Sequence, residues 1–401
     1  MNWDLVFAVI FYGILLIFFL KNRSKFEIQG KIIALYKTKI GIRLMNWLAR
    51  KWRRFFIFLG YTGIFVGFLG MIMIFYTLLK GAIDIFLVPD APPVLAPVFP
   101  GVSLPGLPVL GFWHWIIAIF FVAIVHEFAH GIITKSHDVK VKSSGFAFMG
   151  PILAAFVEPD EKSLERKPKK AQLSVLAAGP FSNIIFGVLI LLLLQFFITP
   201  FSASLYEYSG VQVFDLDKGY PAELAGLTSG ENLLEINGIN IDTLEEFQDN
   251  LQDLKPGDKV EIKTDLSEYI LFAEQNPDDK NKGYLGIRVN AAEQTVKEEV
   301  SNKYGSWFTP TVSWVRLLVY WLFIVNVGVG LFNLLPWGPL DGGRMFYVAS
   351  LIFFKKKRTA MKILSVASWV VGLLIVINLL PWLTKLFAFL SKSVVFLVSL
   401  F

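Results

Sequence analysis

The sequence predicts a polytopic α-helical membrane protein of six or seven transmembrane helices, carrying one inserted soluble α/β domain. Three observations predict it. Of 401 residues, 55% are hydrophobic and only 17% charged, where a soluble chain carries about 25%. Mean hydropathy is +0.57, and 38 Phe with 11 Trp exceed what a water-exposed surface can hide. The net charge of +6 is unevenly spread: residues 201–306 hold 21 acids and 9 bases, and the remainder of the chain is correspondingly basic. Length alone would suggest two or three soluble domains, but this composition excludes that, together with disorder, a coiled coil and a secreted disulfide scaffold. Cysteine is absent, so there is no disulfide, thiolate metal site or cysteine nucleophile.

A bilayer crossing needs about 20 mostly apolar residues. Stretches near 3–20, 55–79, 111–133, 172–199, 311–336 and 361–381 meet that requirement. Residues 383–401 are apolar but carry Lys385 and Lys392, seven residues apart on one helical face. They are read as a seventh span, with an interfacial amphipathic helix as the alternative. The first span is not a cleavable signal peptide by pattern: Met1–Asp4 has no Lys or Arg and no A-x-A site follows.

Positive charge follows that first span. Residues 21–54 hold eleven Lys/Arg and one acid, Glu27, closing on Arg50-Lys51-Trp52-Arg53-Arg54. The positive-inside rule then puts the N-terminus outside and this segment inside. Its charge is topogenic, facing an anionic leaflet, rather than a nucleic-acid site. Alternation makes 80–110 an outer segment rich in Pro and Gly, 134–171 an inner basic loop, 201–306 an outer acidic domain and 337–360 an inner loop with Lys355-Lys356-Lys357-Arg358. The organisation is therefore a two-helix extension (1–110), a membrane core in two parts (111–200 and 307–350) around the outer domain (201–306), and C-terminal helices (351–401). The segment 89–110 is read as a re-entrant or surface-lying loop with no assigned role.

The third span contains His126-Glu127-Phe128-Ala129-His130. His126 and His130 at i and i+4 share one helical face, so both imidazoles reach a single Zn²⁺, and Glu127 stands beside them to take a proton from zinc-bound water. Ionisable groups near the end of a transmembrane helix are costly unless they face partners or a wet cavity. His114 lies three turns earlier and is too far to join them; it and His137 are read as interfacial or solvated. The third protein ligand is sought in Asn333-Leu334-Leu335-Pro336-Trp337-Gly338-Pro339-Leu340-Asp341-Gly342-Gly343. Two prolines there prevent a regular helix, and irregular backbone at membrane depth needs protein or a cavity around it. By the lysine-derived topology, the third and fifth spans both end inside. Asp341 therefore falls on the same side as His126 and His130, at similar depth.

Taken together, His126-Glu127-Phe128-Ala129-His130, Asn333-Leu334-Leu335-Pro336, Leu340-Asp341-Gly342-Gly343 and Ala178-Gly179-Pro180-Phe181-Ser182-Asn183 resemble the motifs of the site-2 protease family of intramembrane zinc metalloproteases. Phe156-Val157-Glu158-Pro159-Asp160-Glu161 resembles that family's inner loop. The resemblance covers roughly 110–200 and 307–350. It implies one Zn²⁺ per chain on His126, His130 and Asp341, with Glu127 as catalytic acid/base. It implies that Asn333 helps hold the substrate backbone and that Asn183 gives packing or polar support. It implies hydrolysis of peptide bonds in or near the membrane segment of a single-span substrate, by a multi-pass protein expected in a prokaryotic cell membrane with its metal site toward the cytoplasm.

The acidic block has its own signals: Pro221 opening a short helix, Asn237-Gly238 after a strand, a Thr243–Glu246 capping box and the turn Lys255-Pro256-Gly257-Asp258. It resembles a circularly permuted PDZ domain, which implies a peptide ligand bound by strand addition. The segment 140–148 is expected to lend an edge strand to an unwound substrate, with Phe146 and Phe148 in contact. Three competing readings are a PDZ-bearing membrane scaffold without activity, a CAAX-type or heat-shock-type membrane zinc protease (whose third ligand is typically Glu), and a transporter, for which no internal repeat speaks.

Overall fold

The computed structural model describes residues 3–29, 33–89, 91, 93–102, 104, 106–149 and 152–398. Among them, six helices are long and apolar enough to cross a bilayer. The chain forms two compact units: Met1–Gln195 with Leu317–Phe401, and Phe196–Arg316.

The first unit opens with α1 (Trp3–Lys21). The basic segment after it is structured, where a plain loop was expected: it holds β1 (Phe26–Gln29), β2 (Ile33–Thr38) and α2 (Ile42–Lys51) before α3 (Arg53–Leu87). On α3, Gly60, Gly63, Gly67 and Gly70 recur at three- and four-residue spacing and are buried. A Cβ at Gly63 would lie 3.0 Å from the Phe181 ring, and one at Gly60 3.1 Å from Ser174. This is the small-residue seam by which apolar helices approach closely. Residues 89–110 form no helix among those described, and they are anchored to neighbouring helices. Trp115 Nε1 donates to Val98 O at 2.8 Å and Trp382 Nε1 to Leu95 O at 3.0 Å, while Leu104 and Leu110 are buried with Trp115 and Trp321.

Next come α4 (Phe112–Ser136), β3 (Val141–Met149), β4 (Ile152–Pro159), α5 (Glu161–Glu165) and α6 (Lys169–Leu193). The four strands make one antiparallel sheet in the order β1-β2-β3-β4. This corrects the expectation for 140–148. Phe146 is opposite Tyr36 on one side and Ala155 on the other, so β3 is interior and has no free edge. The edge strands are β1 and β4.

A π-turn (Leu194–Ile198) leads into the second unit, which holds α7 (Thr199–Ser204), β5 (Tyr206–Leu216), α8 (Pro221–Leu224), β6 (Asn232–Ile236), β7 (Ile239–Asn240), α9 (Leu244–Leu251), β8 (Lys259–Thr264), β9 (Glu268–Phe272), β10 (Glu274–Gln275), β11 (Gly283–Tyr284), β12 (Ile287–Val296) and α10 (Glu298–Tyr304). Its main sheet runs β12-β5-β6-β8-β9 around a core of Val211, Val213, Ile236, Val260 and Ile262. The local signals are borne out. Asn237 and Gly238 both take positive φ, 51° and 76°, as a type I′ hairpin between β6 and β7 requires. Thr243 and Glu246 close a reciprocal capping box on α9.

The chain returns through α11 (Phe308–Asn333), an irregular 334–340, α12 (Asp341–Phe354) and α13 (Lys357–Val398). Helix α13 is continuous over 42 residues. Residues 383–398 belong to that same helix, with no turn separating them from the sixth apolar stretch; 399–401 lie outside the described residues.

Candidate metal centre

The centre is assembled from three helices. On α4, His126 and His130 stand one turn apart, with ring centroids 4.8 Å apart and Nε2 atoms 3.2 Å apart. Asp341 is the first residue of α12, and its Oδ2 lies 3.0 Å from His126 Nε2 and 3.1 Å from His130 Nε2. Local sequence explains how Asp341 arrives there. Pro336 and Pro339 forbid continuation of α11, and the first turn of α12 then lies directly against the backbone of 334–338. A Cβ on Gly342 or Gly343 would overlap the carbonyls of Leu334 and Trp337, respectively. Only glycine permits that approach.

Each histidine is held from behind. His130 Nδ1 donates to Val175 O at 2.7 Å. The amide of Asn183, fully buried on α6, sits 3.1 Å from His126 Nδ1. Its Oδ1 is buried without a partner when the Nδ2 faces the ring. The amide oxygen and nitrogen are nearly equal in size, so the group fits either way round. With Oδ1 turned toward the ring, it accepts from His126 Nδ1–H, and His126 then presents an unprotonated Nε2. Both imidazoles thus turn Nε2 lone pairs toward Asp341, with outer partners fixing the tautomers as in metal sites.

The donor set fits zinc. Neighbouring corners of a tetrahedron with bonds of ~2.0–2.1 Å are about 3.3 Å apart, close to the three separations here. The space above the cluster is kept open by Gly179 on α6. A Cβ there would come 2.5 Å from His126 Nε2 and 2.6 Å from His126 Cε1, and nearer still to His130 Nε2.

The cluster lines a cavity of about 250 Å³ together with Glu127, Asn333, Val157 and Arg344. Glu127 Oε2 accepts a hydrogen bond of 2.9 Å from the Val157 N–H on β4. The open edge of β4 therefore faces the cavity, and Glu127 is tied to it. Asn333 closes its own helix turn, donating from Nδ2 to Val329 O at 3.0 Å. Arg344 contacts Glu161 at 3.3 Å at the rim.

All four residues of the predicted centre converge, and Asn183 and Asn333 join them. Phe146 stacks on Phe120 at 6.0 Å and lines a second cavity, about 290 Å³, that also touches Glu127 and Phe128. Phe148 instead packs with Phe26, 5.4 Å between centroids, on the α1 side. His114 is buried, where an interfacial or solvated residue was expected, because the neighbouring 89–110 segment covers that end of α4. His137 is half-buried, its Nε2 2.7 Å from Ser174 Oγ; burial, with Lys167 and Arg53 nearby, pushes its imidazole below the ordinary value. Sequence reasoning missed Gly179, Val157, Val175 and Arg344. Gly179 was visible as part of a motif, but its closeness to both histidines has no one-dimensional signal.

Residues 114–363 match the model of peptidase family M50. Over 354 residues the chain is 29% identical to the uncharacterized protein MJ0971 of Methanocaldococcus jannaschii, covering 85% of each. It is 22% identical over 241 residues to the zinc metalloprotease RasP of Shouchella clausii, covering 49% of this chain and 54% of that protein. The PDZ domain of the SdrC-like protein of Listeria innocua is 28% identical, with 21% of this chain and 97% of that domain aligned and a TM-score of 0.18.

Proposed function

The chain belongs to peptidase family M50, and from that premise we propose that it is an intramembrane zinc metallopeptidase cleaving within or near the transmembrane segment of single-span membrane proteins. The observation that carries this reading is the approach of His126 Nε2, His130 Nε2 and Asp341 Oδ2 to within 3.2 Å of one another, in one cavity with Glu127.

His126, His130 and Asp341 would hold a zinc ion. Bound there, it supplies Lewis-acid polarisation of a peptide carbonyl and acidification of water at neutral pH. Glu127 accepts the proton of the attacking water and delivers it to the leaving nitrogen. The Val157 N–H fixes the carboxylate of Glu127 at the cavity wall until substrate arrives. Asn333 offers its amide to the substrate backbone. A helical substrate hides its peptide bonds and must unwind to react. The open edge of β4 offers backbone donors and acceptors to such an unwound chain, by strand addition. Asn183 acts through His126 and is a positioning residue. Phe146 contributes an apolar surface beside Glu127. The orientation follows from the Lys/Arg distribution: the metal site lies toward the cytoplasm and the Phe196–Arg316 unit outside, where it is offered to a peptide ligand.

The test compares wild type with Glu127→Gln, measuring zinc content and cleavage of a single-span substrate. The variant keeps its zinc and loses at least about 10²-fold in turnover, the usual worth of a positioned acid/base. Unchanged cleavage by the variant refutes the mechanism. Absence of zinc from the wild type would point instead to a membrane scaffold.

A further inference from the structure

The basic segment between α1 and α3 does more than set topology. Helix α2 has two faces. One buries Met45 and Ala49 against α4, in a cluster with Ile132, Leu48, Phe128 and Val157. The fit is close: a Cβ on Gly131, the residue after His130, would lie 2.5 Å from Met45 Sδ. The other face is open. Leu44 and Trp47 are about half exposed, as are Trp52 and Phe55 where the chain turns into α3. Arg43, Arg50 and Lys51 are exposed beside them, and none forms an ion pair among the described residues. Lys51 Nζ lies 4.9 Å from the centre of the Trp47 ring. Positions 44, 47 and 51 share one face, and 43, 47 and 50 the adjoining one.

Exposed Leu and Trp flanked by unpaired cations suit neither water nor the hydrocarbon core. They match the bilayer interface, where indole rings sit at headgroup level and cations meet lipid phosphates. We propose that the Leu44/Trp47/Lys51 and Arg43/Arg50 face of α2 is a docking surface for anionic phospholipid headgroups of the leaflet in which α3 begins. Charge complementarity names the occupant: three free cations and no facing carboxylate select an anionic surface, each Lys or Arg near it being worth about 1 kcal/mol, or roughly five-fold in affinity.

The docking has a consequence at the centre. Ile40, Gly41 and Met45 form one wall of the cavity shared by Glu127, Phe128 and Phe146. Lipid held on the outer face of α2 keeps that wall pressed on α4. This second half rests on the metallopeptidase reading; the docking itself does not.

The chain has no cysteine, so Leu44→Cys gives a unique thiol for a spin label in the full-length protein. Labelled protein is placed in nanodiscs of phosphatidylcholine with increasing phosphatidylglycerol, and collisions with oxygen and with a water-soluble nickel chelate are compared. The expected result is a move of the label from water to the interface as phosphatidylglycerol rises. At a fixed phosphatidylglycerol content, Arg43→Gln/Arg50→Gln/Lys51→Gln in the same background moves the label's water-to-interface equilibrium about 100-fold toward water, whereas Arg43→Lys/Arg50→Lys, which keeps the charges, leaves it unchanged. A label that stays in water in both lipids overturns the proposal. So does one equally inserted in both lipids and indifferent to the charge variants, which would mean apolar contact without headgroup recognition. A label immobilised by a second copy, detected as dipolar coupling, also overturns it. Cleavage of a single-span substrate is followed in the same discs. A lipid-dependent label shift with no cleavage in any lipid removes the peptidase reading and leaves the docking intact.

Discussion

Gly179→Ala is the sharpest probe of the centre, because it adds one methyl and no charge. The new Cβ would lie 2.5 Å from His126 Nε2, where ordinary van der Waals contact begins at 3.4 Å. Relief requires a displacement of about 1 Å. Neither ring yields freely: His130 is tied to Val175 O at 2.7 Å and His126 to the Asn183 amide at 3.1 Å. Either one of these bonds breaks or α6 withdraws from α4. Disturbing the outer partners of metal-binding histidines costs about 10–100-fold in metal affinity. A misplacement of about 1 Å costs on the order of 10²-fold in rate. Zinc affinity, measured by chelator competition, and turnover of a single-span substrate should therefore fall together, with helix content unchanged. A Gly179→Ala protein that binds zinc and cleaves as wild type does would refute the claim that Gly179 keeps this space open.

Three further outcomes follow from the same geometry. Asn183→Ala removes the partner of His126 Nδ1 and should weaken zinc affinity about 10–100-fold in chelator competition while His130 and Asp341 still bind; unchanged affinity would reduce Asn183 to packing. Thr243→Ala opens the capping box of α9 and should cost about 1 kcal/mol, read as faster amide exchange in 244–251 of the full-length protein; wild-type exchange there would contradict the cap's role. Glu231 is buried, which disfavours its charge. The Thr228 N–H and the hydroxyls of Thr228, Thr264 and Tyr269 outweigh that, and together they hold its carboxyl below the ordinary value. A folded value below the unfolded one gives stability that is complete above the unfolded value of 4.5 and is lost as pH falls through the folded value. Amide exchange in β8 and β9, corrected for intrinsic rates, should accelerate on acidification in wild type and much less in Glu231→Gln. Equal pH dependence in the two would assign the acid sensitivity elsewhere.

The candidate metal ligands were legible because their information is local or global, with little in between. The i, i+4 spacing of His126 and His130 is local, and the lysine distribution that brings Asp341 to the same side is a property of the whole chain. The four-stranded sheet was not legible. Its β1–β2 hairpin lies in a segment where charge overwhelms alternation, and the pairing of Tyr36 with Phe146 joins residues far apart in sequence. The expectation of a strand over 140–148 carries no record of which edges are taken. The interior place of β3 and the open edge of β4 therefore came only from the structure. Phe146 and Phe148 illustrate the same limit: two residues on one face of a strand, one beside Glu127 and the other against α1.

The third corner of the centre lies 215 residues after the first, and this gives the protein a schedule. When α4 enters the bilayer it brings two nitrogens and a carboxylate, but no closed metal site. The whole Phe196–Arg316 unit and α11 must be synthesised before Asp341 emerges, because that residue is placed by the glycine contacts of α12 with the end of α11. Two imidazoles alone are a weak zinc trap. On the metallopeptidase reading, the centre therefore stays open while α4 is being inserted and closes only once Asp341 has followed.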